Sequence, residues 1–203
     1  VDRQRTNVVR EDKITETATG LFVDAKTQWL PWLRTNIGAR YDLIRAEATA
    51  LGGVNNMANG GQVSAHQASP KLGVVFGPFN LLGPTEFYAN WGHGFHSNDV
   101  RGATAKVNPQ DGSTTEAVPL LVKAKGGELG LRIVPLPGWN SSLSVWQMDL
   151  ASELVFIGDE GITEPKGASR RSGLEWSNYF SPVPGVIVDA DVAGETSTAN
   201  VID

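Results

Sequence analysis

The residues best suited to chemistry lie in one short stretch, where His93, His96 and Asp99 supply two imidazoles and a carboxylate. With His66 they complete the histidines of the chain. Imidazole and carboxylate at such spacing are donors for a divalent metal or a haem iron. The backbone decides whether they can converge. Residues three apart on a strand project from opposite faces, so His93 and His96 cannot share one site there. If a loop begins at Ser97, His96 and Asp99 can still approach each other. The plainer reading is that Asp99 and Arg101 pin the base of a loop while Gly92 and Gly94 relieve crowding in the strand before it. Other constellations are weaker. Glu153 and Asp159 offer two carboxylates, but nothing fixes the separation that glycoside hydrolysis requires, and Gly158-Asp159-Glu160-Gly161 reads as a turn. Ser97 and Ser144 sit in no nucleophile elbow or ordered triad. Asn140-Ser141-Ser142 matches a glycosylation acceptor and nothing more. Cysteine is absent, which removes thiolate nucleophiles, thiolate metal sites and disulfides. No catalytic residue, metal site or cofactor is assigned.

The elements that must carry these residues show a period of two. From Gly20 to Trp29 one face reads Leu21, Val23, Ala25, Thr27, Trp29 and the other Gly20, Phe22, Asp24, Lys26, Gln28. After Pro31, Leu33, Thr35, Ile37, Ala39 and Tyr41 alternate with Arg34, Asn36, Gly38, Arg40 and Asp42. A helix would put Arg34, Ile37 and Tyr41 on one face, mixing charge with apolar surface, so the strand reading wins. Six further runs behave alike, around Leu72, Ala89, Leu131, Val145, Leu174 and Val188. In the run with Leu143 and Val145, Gln147 breaks the parity and suggests a bulge. The expectation is all-β, about eight strands of about ten residues, with no convincing helix.

The connections alternate between two kinds. Short ones carry proline and flanking aromatics: Trp29-Leu30-Pro31-Trp32, Pro78-Phe79, Pro135-Leu136-Pro137-Gly138-Trp139 and Phe180-Ser181-Pro182. Long ones are polar and rich in small residues, over 46–67, 97–119 and 158–169. Strict alternation puts every long loop at one end of an up-and-down meander. Tight turns at one end, long loops at the other and aromatic girdles belong to outer-membrane barrels. A soluble antiparallel barrel or sandwich also alternates apolar with polar residues. Two features favour the membrane: strands long enough to cross when tilted, and a polar face carrying Asp24, Lys26, Arg34, Arg40, Asp42, Glu128, Arg132, Glu175, Asp189 and Asp191, which suits a wet lumen. A propeller would need four strands per fifty-residue interval, where this chain has two and a long loop. Hydrophobic residues at 40% and charged residues at 19% exclude disorder, and the longest uncharged stretches are broken by Gly and Pro before reaching the length of a membrane helix. The net charge of −5, with no concentrated basic stretch, excludes a nucleic-acid partner.

At Phe87-Tyr88-Ala89-Asn90-Trp91-Gly92-His93-Gly94-Phe95-His96-Ser97-Asn98-Asp99-Val100-Arg101-Gly102 the chain resembles a TonB-dependent outer-membrane receptor. Gly38-Ala39-Arg40-Tyr41-Asp42, Ser69-Pro70-Lys71-Leu72-Gly73, Glu128-Leu129-Gly130-Leu131-Arg132, Glu153-Leu154-Val155-Phe156-Ile157-Gly158-Asp159 and Arg171-Ser172-Gly173-Leu174-Glu175 agree in order, across about residues 12–193. The resemblance implies an arc of a transmembrane β-barrel of about 22 strands, closed in the family by an N-terminal plug. It implies uptake of a scarce ligand, such as a metal–siderophore complex, haem or cobalamin, energised through TonB, in the outer membrane of a Gram-negative bacterium.

Compared with that family, the sequence shows no plug, no TonB-contacting segment and no apolar signal run, and its last ten residues are polar. The expectation is therefore a partial barrel domain over 1–193 and a polar tail over 194–203, read as a fragment of the wall in preference to an arc whose edges other chains complete or a small closed barrel of eight strands. TonB would then be met through a plug that is not in this chain. The other expected partners are outer-membrane lipid and a small-molecule ligand, with an iron chelate as one form of it. That ligand would meet the loop base at His96, Asn98, Asp99 and Arg101 and the lumen face at Arg40 and Asp42. The alternative is a soluble β-barrel or sandwich that binds a ligand.

Overall fold

The computed structural model describes residues 8–157 and 162–199 of the chain. Its strands, in chain order, are β1 (Glu11–Leu30), β2 (Leu33–Gly52), β3 (Gly60–Asn80), β4 (Pro84–Ser97), β5 (Leu121–Ile133), β6 (Trp139–Leu150), β7 (Glu153–Ile157), β8 (Ile162–Lys166), β9 (Ser169–Phe180) and β10 (Val188–Ala199). Eight of them form one antiparallel sheet in the order β1-β2-β3-β4-β5-β6-β9-β10, and β7 and β8 pair as a separate hairpin. This is the expected eight-stranded all-β meander. Among the described residues β1 and β10 each pair on one side only, so the sheet is open.

Register turns eight separate alternations into two continuous faces. Val23 pairs with Ala39, Ile37 with Leu72, Val74 with Ala89, Ala89 with Leu129, Leu129 with Val145, Val145 with Leu174, and Trp176 with Val192. Directly paired residues share a face, so these side chains form one uncharged surface. It is also solvent-exposed: Leu21, Ile37, Leu129 and Val192 are each more than half exposed. Over the length of this apolar band the charged residues of the same strands lie on the opposite surface.

Moving along the uncharged face toward the long-loop end, the first charge on β2 is Arg45. On β5, β6 and β9 it is Lys125, Asp149 and Arg170, which the register puts in one row with His93 of β4, level with Ala39 of β2. The boundary thus drops by about six residues, ~20 Å, between β2 and β4 and runs level from β4 to β9.

Several expectations differ from the structure. The eight strands of the main sheet run from 12 to 21 residues rather than about ten. The connection expected over 46–67 shrinks to 53–59, because β2 and β3 stay paired as far as Thr49 and Gly60. Their extra length is held by a small core of Ile44, Ala46 and Ala48 against Val100, Ala103 and Leu120 of the β4–β5 connection, flanked by Val63 and Ala65. Gln147 makes no bulge: it pairs in register with Gly127 and Ser172, and its polarity marks the level where the apolar band ends. The register breaks instead sit next to the short turns, between Gln28 and Leu30 and between Phe76 and Phe79, with another at Glu11 and Asp12. One short helix is present, α1 (Val100–Ala103), along with a 3-10 turn at Asn56–Ala58. The connection expected over 158–169 contains β8, and its residues 158–161, with Asp159, lie outside the described residues. β10 continues to Ala199, beyond the expected boundary at 193.

The short turns follow local chemistry. Gly83 (φ 106°) and Gly138 (φ 80°) adopt left-handed backbone, where a Cβ would stand 2.1 Å from the Val134 carbonyl oxygen and 2.4 Å from that of Ser181.

The packed core at the long-loop end generates a direct expectation. Ala46 is 5% exposed, so Ala46→Asp would bury an unpaired carboxylate, at a cost of several kcal/mol. Amide hydrogen exchange should accelerate across 98–120 and the ends of β2 and β3, while the apolar band keeps its protection. Unchanged exchange in 98–120 would contradict the packing.

Candidate functional site

The polar face and the β4–β5 connection above it carry the candidate residues. Along the polar face charges are met by ion pairs and by aromatic side chains. Lys71 Nζ lies 2.6 Å from Asp24, Arg34 Nη2 donates to Glu86 at 2.6 Å, and Arg40 Nε donates to both oxygens of Asp42 at 2.8 and 2.9 Å. Tyr88 Oη donates to Glu128 at 2.9 Å, Arg132 stacks 4.8 Å from the Tyr88 ring centre, and Trp146 Nε1 donates to Glu175 at 2.9 Å.

A repeated device lays these side chains flat against the sheet. Lys71, Tyr88 and Trp146 each have a glycine as direct cross-strand partner: Gly38, Gly130 and Gly173. A Cβ on those glycines would meet Lys71 Cε at 2.5 Å, Tyr88 Cζ at 2.4 Å and Trp146 Cε2 at 2.6 Å. Gly20 does the same beneath the Arg40–Asp42 pair. A glycine opposite a long side chain leaves a shelf on which that side chain lies instead of standing out from the wall.

The second part of the site is the connection 98–120. Asn98 is buried, its backbone N–H donating to the Leu120 carbonyl at 2.9 Å and its Nδ2 to the Pro119 carbonyl at 2.7 Å, so it ties both ends of the connection together. Asp99 caps α1, accepting from the Arg101 backbone N–H at 2.8 Å and from Arg101 Nε at 3.0 Å. The Arg101 hydrogen bond holds the Asp99 carboxyl below the ordinary carboxylate range, against partial desolvation that opposes it. Asparagines complete the network. Asn56, with no exposed surface, donates from Nδ2 to Asp12 at 2.9 Å and to the Gly52 carbonyl at 3.0 Å. Asn59 donates to the Val107 carbonyl at 2.9 Å while its Oδ1 accepts from the backbone N–H of Lys106 and Val107.

Of the six residues expected to meet a ligand, the structure divides the set. Asn98 and Asp42 are buried and their polar groups are used within the protein. Asp99 and Arg101 pin the loop base, each with a partly exposed side chain, and Arg40 is half-exposed above Asp42. His96 stands exposed on the polar face, paired with Val122, whereas His93 pairs with Lys125 on the uncharged face, so the two histidines diverge. Sequence reasoning missed the glycine shelves and the role of Asn56 and Asn59. Clustered asparagine and glycine at 52–61 was the available signal, and it read as an unstructured loop.

The capping arrangement sets a pH expectation. A carboxyl depressed in the folded loop contributes stability that is present above its unfolded pKa and lost as pH falls through the lower folded value. Exchange protection at 98–120 should therefore hold from pH 7 to about 5 and decline below about 4. Asp99→Ala should remove roughly 1 kcal/mol of that protection at neutral pH and flatten the acid limb. An unaltered acid limb in the variant would assign the pH dependence to another group.

The chain was compared with known proteins. A family model described as TonB dependent receptor-like, beta-barrel, matches residues 2–197. Solved structures with the same fold include the ferric yersiniabactin uptake receptor FyuA from Yersinia pestis (TM-score 0.69, 13% identity, 93% of this chain and 28% of that one). The Ferric-Catecholate import receptor Fiu from E. coli K12 aligns with TM-score 0.68 and 18% identity over 95% of this chain and 29% of that one. The alcaligin outer membrane receptor FauA from Bordetella pertussis aligns with TM-score 0.65 and 16% identity over 95% and 32%. This chain therefore spans about a third or less of the length of these three structures. A comparison with curated protein sequences finds no match.

Proposed function

Because this chain belongs to the TonB-dependent receptor-like β-barrel family, we propose that its eight strands form an arc of the wall of an outer-membrane uptake receptor in a Gram-negative bacterium. The family and its solved neighbours are transport receptors and not enzymes. The observation that carries the reading is the exposed, uncharged surface running unbroken across all eight strands and backed by a charged one. In a soluble barrel or sandwich those leucines, valines and tryptophans would be the core; here they lie exposed across one whole face of the sheet.

The ligand is a small molecule, and an iron chelate is the class favoured by neighbours that import ferric yersiniabactin and ferric catecholates. His96, Arg40 and Arg101 are the residues that would meet it, with Asp42, Asn98 and Asp99 holding them in position. Energy would come through TonB, engaged by a plug domain outside this chain. His96→Ala and Arg101→Ala should then weaken binding of a ferric-catecholate probe without lowering the amount of assembled receptor. Unchanged binding in both would remove the loop base from the ligand path.

Charge placement tests the wall itself. Leu129→Arg puts a cation on the uncharged face and should cost about 2–4 kcal/mol of insertion near the bilayer midplane. Lys26→Gln, on the polar face, should be silent. In density-gradient fractions of cells producing the protein, the parent and Lys26→Gln should give a heat-modifiable band in the outer membrane, and Leu129→Arg should deplete it. A soluble band in the parent, unchanged by boiling, would overturn the reading.

A further inference from the structure

On β5 the uncharged face carries a glycine between two large side chains. Gly127 of β5 lies between its cross-strand partners Trp91 and Gln147, and the missing side chain opens a depression of about 710 Å3. Its floor and walls are Leu72, Val74, Ala89, Trp91, Leu129 and Val145, with Lys125 and Asp149 at the long-loop end. A second depression of about 660 Å3 continues from those two residues and is bordered by His93, Lys123, Arg170 and Thr198. The two form one channel, apolar below and polar above, on the face that the proposed function turns toward lipid.

Charge in the upper part is unbalanced. Among the described residues Lys123, Lys125 and Arg170 face a single carboxylate, Asp149, which Arg170 Nε contacts at 2.6 Å and Lys125 Nζ approaches at 3.6 Å. Lys123 is exposed, and Lys125 and Arg170 keep 62% and 59% of their side-chain surface open. His93 rests against Trp91, with ring centres 4.9 Å apart. Lys125 and Arg170 stand in the first charged row beyond the apolar band and Lys123 two residues further along β5, the depth at which a lipid headgroup meets the wall. A long apolar groove that opens into a cluster of exposed cations is complementary to an amphiphile with an anionic head.

We propose that this channel is a docking site for a phosphate-bearing lipid of the external leaflet, its phosphate held by Lys123, Lys125 and Arg170 and one acyl chain lying over Gly127 against Trp91. The site rests on the wall reading above, and extends it from bulk bilayer to a specific lipid. Lysine as a compact charge and arginine as a bidentate fork together fit a phosphate. Gly127 has ordinary backbone, and a Cβ there would stand 3.4 Å from the Asn90 carbonyl oxygen and 3.9 Å from Trp91 Cδ1. A larger residue therefore fills the groove without straining the strand.

The test is native mass spectrometry of the receptor extracted from the outer membrane into detergent, titrated with bisphosphorylated lipid A, monophosphoryl lipid A and phosphatidylcholine. The expected result is preferential retention of the bisphosphorylated form, weaker at high salt. Lys123→Gln with Lys125→Gln should lower that retention at least tenfold and leave phosphatidylcholine unchanged. Asp149→Asn should raise it, a gain that a merely structural role would not give. Gly127→Leu should lower retention of every acylated probe. Retention equal for all three lipids, or unaffected by the double lysine variant, would overturn the site while leaving the wall intact. Failure of the parent protein to fractionate with the outer membrane would overturn the wall and the site with it.

Discussion

The antiparallel ladder is the constraint on which everything else rests. In hydrocarbon no water is available to backbone N–H and C=O groups, so each strand must satisfy its own through its neighbours, and the pleat then fixes a period of two. Register carries that period across the sheet. A one-residue slip in any of the seven pairings would send Leu129 or Ile37 to the polar side and Glu128 or Arg34 to the apolar one. The observed pairings contain no such slip within the apolar band: the breaks lie next to the short turns and at the start of β1. Even the polar interruptions, Thr35 and Ser141, are uncharged and carry hydroxyls that accept indole N–H groups from Trp29 at 2.8 Å and Trp176 at 3.1 Å.

The same constraint shapes the polar face. A wall that encloses a passage must carry charge for wetting, yet long charged side chains standing inward would fill the passage. The glycine shelves resolve this conflict by letting Lys71, Tyr88 and Trp146 lie along the sheet, where an ion pair to Asp24 and hydrogen bonds to Glu128 and Glu175 hold them. Charge density is kept while the side chains stay low. Above the band, where water can satisfy backbone groups again, β1 to β3 run on well past the length needed to cross, and an asparagine network fastens the β4–β5 connection to them. The loop is thus a packed cap with its own small core.

What the sequence made legible was whatever depends on neighbours in the chain. Alternation, proline-bearing short turns and the Asp99–Arg101 pin all act within a few residues, and all were readable. The ends of β2 and β3 were not, since alanine and threonine carry little apolar signal and Gly52, Gly53, Gly60 and Gly61 mimic an open loop. Val100, Ala103 and Leu120 are too sparse to announce a core, which exists only because the fold brings them onto Ile44 and Ala46. The buried state of Asn98 and Asp42 was hidden for a related reason. The partner of Asn98 is 21 residues away, and Asp42 is covered by Arg40, which crosses above a glycine on another strand. Gln147 misled because polarity in a tilted wall reports depth as well as facing.

Depth is the coordinate that a one-dimensional reading lacks. Lys125 and Leu129 share a strand and a face, and differ only in lying four residues apart across the end of the apolar band. In the proposed wall that difference separates the level of headgroups from that of acyl chains. Once register is known, the uncharged face acquires a vertical scale, and a glycine at the boundary ceases to be a neutral strand defect. Gly127 joins the apolar level to the cationic one. A lone cation above the band would be a solvated lysine and a lone groove within it would be imperfect packing against lipid. Their contiguity through Lys125 and Asp149 distinguishes a shaped amphiphile site from either.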